Sequence, residues 1–167
     1  LGLMRRRYTS SRFADRIEKI RSLMPDAFIG IDVIIGFPGE TEQYFQETYD
    51  LLARLRPAFL HIFPFSERPG TPAVDMPDKV PSYISTQRVA RLEELSDALH
   101  YDFCSQGVGC EMDVLFESTM RGGMMYGYTG NYIRVKAPYR RDLINTICRV
   151  KLSSIGEDCD VMAEILE

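Results

Sequence analysis

At 167 residues the chain is long enough for one ordinary domain, or for a small domain joined to part of another. Its 45% apolar and 26% charged residues are those of a soluble globular protein, and no apolar run approaches the roughly 20 residues that span a bilayer. The net charge of −4 gives no global case for nucleic acid, and Arg5-Arg6-Arg7 is not followed by the apolar stretch of a signal peptide.

Residues 1–9 read as a loop from inside a longer protein. A helix is expected over 10–24, capped by Ser10 or Ser11, with Phe13, Ile17, Ile20 and Met24 as its apolar stripe. Residues 28–35 follow as a nearly continuous apolar strand, the pattern of a strand covered on both faces. Asp32 interrupts it, a charge that needs a partner or a place at a ligand edge. Next come Gly36-Phe37-Pro38-Gly39-Glu40-Thr41 and a helix over 41–55, marked by Tyr44, Phe45, Thr48, Leu51, Leu52 and Leu55 and stopped by Arg56-Pro57. A second strand, 58–63, runs into the turn-rich segment 64–81.

A strand, a Gly/Pro turn and a helix in that order open a βα unit. The glycines allow close approach of a ligand, and the helix N-terminus offers N–H donors. Two such loops after successive strands predict one site at the C-terminal edge of a parallel sheet. Two parallel strands cannot close a barrel, so residues 1–81 read as the last βα elements of a larger, incomplete barrel. Its open edge is expected to drive self-association or disorder in residues 1–80.

A long helix is expected over 82–106, with Ile84, Val89, Leu92, Leu95, Leu99 and Phe103 as its stripe; Gly107 and Gly109 end it. Beyond them the period changes to alternation. Cys110, Met112, Val114 and Phe116 share one strand face, and further strands are expected near 124–128, 132–136, 146–152 and 161–166. Five short strands over 107–167 predict a small OB-like β-barrel. The fold class is therefore α/β followed by all-β, with residues 82–106 as connecting helix. Residues 134–151 carry Arg134, Lys136, Arg140, Arg141, Arg149 and Lys151 against Asp142 alone. That excess can meet phosphates or simply solvate a loop and strand face.

The cysteines, Cys104, Cys110, Cys148 and Cys159, form no CxxC pair and match no zinc or iron–sulfur spacing. They read as reduced structural thiols of a cytoplasmic protein, with Cys110 and Cys148 as small buried hydrophobes. His61 and His100 stand alone and read as structural.

Four segments, in order, carry a resemblance. Met4-Arg5-Arg6-Arg7-Tyr8-Thr9 looks like M-x-R-x-Y. Residues 29–41, Ile-Gly-Ile-Asp-Val-Ile-Ile-Gly-Phe-Pro-Gly-Glu-Thr, look like I-G-x-D-x-I-x-G-F-P-G-E-T. Residues 63–73, Phe-Pro-Phe-Ser-Glu-Arg-Pro-Gly-Thr-Pro-Ala, look like F-x-Y-S-x-R-x-G-T-x-A. Residues 127–135, Gly-Tyr-Thr-Gly-Asn-Tyr-Ile-Arg-Val, look like part of a TRAM domain, a small RNA-binding β-barrel. Over nearly its whole length the chain resembles the radical S-adenosylmethionine methylthiotransferases. The motif at 127–135 is most like the branch acting on threonylcarbamoyl-adenosine at position 37 of transfer RNA.

The resemblance implies a protein that places a methylthio group on an unactivated adenine carbon, using S-adenosylmethionine and two four-iron four-sulfur clusters. The family's CxxxCxxC motif is absent from this sequence, so the chain alone is expected to bind no metal, to hold no catalytic residue and to be inactive. It implies cofactor contacts from Asp32, Gly36, Phe37, Pro38, Gly39, Glu40, Thr41, Ser66, Arg68, Gly70 and Thr71. For Glu40 the alternative is a carboxylate favoured by the helix dipole, and for Asp32 one paired with a neighbouring strand. Transfer RNA is the implied partner, with no membrane. Tyr128, Asn131, Tyr132, Arg134, Lys136, Arg140 and Arg141 supply rings, an amide and cations for it. Alternatives are the same chemistry on isopentenyl-adenosine or on a ribosomal-protein aspartate, and a non-catalytic RNA-binding module.

Overall fold

The structure, a computed structural model, describes residues 1–166, in two compact units, residues 1–99 and residues from 100 onward. The first holds α1 (Ser10–Leu23), β1 (Gly30–Ile35), α2 (Glu42–Leu55), β2 (Phe59–Pro64) and most of α3 (Ser82–Ser105). Residues between β2 and α3 form turns with one short 3-10 segment, Pro72–Asp75.

Helix α1 is capped by Thr9 rather than by Ser10 or Ser11. Its hydroxyl accepts the Arg12 N–H at 3.2 Å, one residue earlier than the sequence pattern suggests. Only the Phe13, Ala14 and Ile17 part of its stripe packs inward; Ile20 and Met24 are exposed. Arg21 of α1 donates to the carbonyls of Leu55 and Arg56, at 2.7 and 2.9 Å, satisfying the end of α2.

Strands β1 and β2 pair in parallel, Asp32 opposite His61 and Ile34 opposite Phe63. Ile31, Val33, Ile35 and Leu60 pack on Phe45 and Leu52 of α2 and Leu92 of α3. Gly30, Asp32 and Ile34 face the other way and are exposed. Within this chain the helices cover one face of the strand. At the outer edge of β2 the buried Ser96 hydroxyl accepts the Leu60 N–H at 3.0 Å and donates to its carbonyl at 3.5 Å. Pro64, with no N–H, ends the same strand, so this edge is protected against further pairing.

The second unit is a closed barrel of β3 (Glu111–Arg121), β4 (Met124–Thr129), β5 (Arg134–Pro138), β6 (Ile147–Ile155) and β7 (Val161–Ile165), in the order β3-β4-β5-β7-β6. Every pairing is antiparallel except β5 with β7. Val114, Phe116, Met125, Ile133, Val135, Val150 and Leu152 fill it, and Cys104 from the end of α3 joins them. A Cβ at Gly127 would run into the Leu115 carbonyl and Val114, so only glycine lets β3 and β4 approach here.

Two local expectations fail. Cys110 precedes β3 and is exposed, so it is no core hydrophobe, whereas Cys148 is half-buried and packs against the barrel core. The strand expected at 132–136 begins at Arg134, because Tyr132 adopts a left-handed φ of 63°.

Candidate functional site

The loop between β1 and α2 is tied down at both glycines. Gly36 (φ +82°) sits where a Cβ would come within 2.8 Å of the Ser85 hydroxyl of α3. Gly39 (φ +85°) donates to the Asp78 carbonyl at 2.9 Å, and Glu40 N–H to the Phe37 carbonyl at 2.9 Å. Both glycines are required by backbone conformation. A Cβ at Gly39 would meet nothing nearer than a Leu3 methyl at 3.8 Å. Thr41 caps α2 through its hydroxyl, which accepts the Tyr44 N–H at 3.2 Å.

Glu40 is engaged inward. Its carboxylate accepts the Gly36 N–H at 3.2 Å and an Arg88 Nη1–H at 2.7 Å, and Arg88 also donates to the Glu40 carbonyl at 3.0 Å. Arg88, only 4% exposed, reaches Glu42 as well, through Nε and Nη2, both at 3.2 Å. Arg91 joins Glu42 at 2.8 Å and Gln46 at 2.7 Å, and both guanidinium groups lie over the Phe45 ring. The Arg91 hydrogen bond, with help from Arg88, holds the Glu42 carboxyl below the usual carboxylate range. Sequence reasoning did not single out Arg88, Arg91 or Glu42. The two arginines stand three residues apart on one helix face, but their partners lie more than 40 residues away in the chain.

The loop after β2 ends at the same side of the sheet. Phe65 donates to the Ile35 carbonyl at 2.7 Å, and its ring meets Phe37 edge-on at 5.2 Å, which brings the two loops together. Thr71 donates through both its N–H and its hydroxyl to the Arg68 carbonyl, at 3.2 and 2.8 Å, and Gly70 has φ +80°. Ser66, Arg68, Gly70 and Thr71 are all exposed. Asp32 lies on the uncovered face of β1, opposite His61.

For metal the residues do not fit. Among the described residues no three His, Cys, Asp or Glu side chains gather to hold an ion. Cys104 is inside the barrel core, where burial, with smaller effects of Cys159 and Asp160, pushes its thiol up to about 12.

The barrel carries the other residue set. Tyr128 of β4 pairs in register with Arg134 of β5 and with Leu115 of β3, and Leu115 pairs with Ile147 of β6. All four face outward, with Ile147 71% and Leu115 49% exposed. Sequence reasoning named Tyr128 and Arg134 but not Leu115 or Ile147; strand alternation gave the signal, though not the register. The turn Thr129-Gly130-Asn131-Tyr132 is built on Thr129, whose hydroxyl donates to Asn131 Oδ1 at 2.7 Å and accepts the Ile133 N–H at 2.9 Å. It projects Tyr132 beside Tyr128, with ring centroids 6.3 Å apart.

Most of the cations there are already paired. Arg134 lies over the Tyr126 ring at 4.8 Å and 3.4 Å from Asp160, Lys136 meets Asp158 at 3.2 Å, and Arg140 meets Asp142 at 2.6 Å. Arg149 faces Asp113 at 3.2 Å; Arg141 is exposed. Asp160 is buried, and its Oδ1 faces Arg134 without the alignment of a hydrogen bond. Burial pushes the Asp160 carboxyl above the usual range, against the pull of Arg134. Burial would also raise Asp158, but Lys136 and the Asp160 N–H outweigh it and hold it low.

No protein-family model matches the chain. Curated proteins do. The threonylcarbamoyladenosine tRNA methylthiotransferase MtaB of Bacillus subtilis is 40% identical over 160 residues, 93% of this chain and 36% of that protein. The tRNA-2-methylthio-N(6)-dimethylallyladenosine synthase of Syntrophotalea carbinolica is 37% identical over 155 residues, 92% of this chain and 35% of its own. The synthase of the same name from Mycolicibacterium smegmatis is 44% identical over 115 residues, 69% of this chain and 22% of its own. Over nearly its whole length the chain is thus similar to tRNA methylthiotransferases. Its sequence is MtaB-like, and it spans about a third of the length of the first two relatives.

Proposed function

We propose that the whole protein adds a methylthio group to C2 of N6-threonylcarbamoyladenosine at position 37 of transfer RNA by radical S-adenosylmethionine chemistry. This chain supplies part of the cofactor pocket and a TRAM-like RNA-binding barrel. One observation carries the reading: 40% identity to the Bacillus subtilis enzyme over 93% of the chain, running through both the glycine loop and the barrel. The two iron–sulfur clusters such chemistry needs would be held by residues outside this sequence.

Bound S-adenosylmethionine would supply the hydrogen-abstraction chemistry. The chain's own part is to bind and orient. The open turn at Gly39 admits the cofactor backbone-close, with Phe37 and Pro38 beside it. Asp32, Ser66 and Arg68 offer groups for its hydroxyls, amine and carboxylate, and Gly70 and Thr71 shape the second loop. Gly36, Glu40 and Thr41 hold the first loop in shape. On the barrel, Tyr128 and Tyr132 stack bases, and Asn131, Arg134, Lys136, Arg140 and Arg141 meet polar edges and phosphates.

The test is reconstitution. The whole protein, with clusters restored, S-adenosylmethionine and a reductant, is given transfer RNA carrying either threonylcarbamoyl-adenosine or isopentenyl-adenosine. Methylthiolation of the first alone is expected. Methylthiolation of the second alone would move the protein to the other branch, and of neither would remove the proposal.

A further inference from the structure

We propose that Arg88 is a positioning residue for the cofactor. On this view it acts through Glu40 to fix the Gly36–Gly39 turn, without touching the ligand. The inference rests on the reading of that turn as a wall of the S-adenosylmethionine pocket.

The geometry sets it apart from an ordinary surface ion pair. Arg88 is 4% exposed and spends its guanidinium on one short stretch of chain: the Glu40 carboxylate at 2.7 Å, the Glu40 carbonyl at 3.0 Å and the Glu42 carboxylate at 3.2 Å. The Glu40 carboxylate turns back to accept the Gly36 N–H, at the first residue of the turn. One buried cation thus fixes the start of the turn and the entry to α2. Ser85, one helical turn before Arg88 on α3, closes against Gly36.

Burying such a group brings little net stability, because lost hydration offsets most of the attraction; apolar residues of similar volume often serve as well or better. A planar fork with fixed donor directions does bring geometry. What this one reaches is the first left-handed glycine, Gly36, through the Glu40 carboxylate, and the backbone of Glu40, the residue after the second, Gly39. A shift of about 1 Å in a binding backbone can cost on the order of a hundredfold in function.

The experiment uses the whole protein with its clusters in place and three variants, Glu40→Gln, Arg88→Met and Arg88→Lys, with Gly39→Val as the direct test of the turn. Binding of S-adenosylmethionine is measured by equilibrium dialysis, beside transfer-RNA affinity, iron content and the kcat and KM for S-adenosylmethionine. Glu40→Gln and Arg88→Met should weaken cofactor binding about tenfold or more, the scale of a lost charge-assisted hydrogen bond. KM should rise by a larger factor than kcat falls, with transfer-RNA affinity and iron content within about twofold of wild type; Arg88→Lys, which keeps the charge but not the fork, should fall between. A purely structural role would instead lower iron content, RNA binding and kcat together, and that result would overturn the proposal. If Arg88→Met does not fold, Glu40→Gln, which keeps the side-chain volume, decides. Unchanged cofactor affinity in Glu40→Gln with weakened binding in Gly39→Val would remove the role of Arg88 and leave the turn as pocket wall. Unchanged affinity in both would remove the pocket reading too.

Discussion

Tyr132 stands with its ring 6.3 Å from that of Tyr128, although its backbone is held at a φ of 63° and its side chain is 68% exposed. A bulky residue in the left-handed region costs on the order of 1 kcal/mol or more, and so exposed a ring regains little of that by burial. Tyr132→Gly is therefore expected to leave the melting temperature unchanged or raised. It should weaken RNA binding about 5- to 100-fold, the scale of one stacked base. Thermal melts and titration with an anticodon stem-loop check both. A variant that melts lower and binds RNA as before would show that the ring serves the fold.

Asp160 gives a pH prediction. Its carboxyl is raised in the folded state by burial, so the fold prefers the protonated form. This group's contribution to stability is best below the unfolded carboxylate range, falls as pH rises toward the folded value, and stays low above it. Asp160→Asn removes that loss. The melting temperature of the variant minus that of wild type should grow from pH 4 to pH 7.5. Arg134→Ala leaves the buried charge less compensated and should do the opposite. A difference for Asp160→Asn that shrinks over this range would contradict the account.

The thiols differ in the same unit. Cys104, buried and pushed up to about 12, should resist alkylation at pH 8 until the protein unfolds, while the exposed Cys110 should react within the dead time of hand mixing. Peptide mapping after a short maleimide pulse distinguishes the two. Early modification of Cys104 would mean that the end of α3 opens readily.

How much of this was legible in sequence depended on range. The βα unit was readable because its signals are local: an apolar run, a Gly/Pro turn and a helical stripe from Tyr44 to Leu55. The five barrel strands were readable from alternation and glycine punctuation. The Arg88 network was not, because Glu40 and Glu42 lie 48 and 46 residues away and only the packing of α3 unites them. Tyr132 misled because a strand pattern runs through it, while Thr129 and Asn131 build a turn there instead.

Strand edges refine the expected self-association. Ser96 and Pro64 protect the outer edge of β2, whereas among the described residues no strand lies beside the other edge of β1. The isolated chain is expected to associate through β1. Sedimentation velocity should show a concentration-dependent dimer, abolished by Asp32→Pro, which removes an edge N–H and sets a blocking ring there. A strict monomer at all concentrations would contradict this.

The central claim is most directly tested in cells. Nucleosides from transfer RNA of wild-type cells and of cells lacking the gene are compared by mass spectrometry. Loss of methylthio-threonylcarbamoyl-adenosine, with accumulation of the unmodified threonylcarbamoyl nucleoside and its return when the gene is restored, is the predicted result. Unchanged levels of that nucleoside in the deletion would contradict the account.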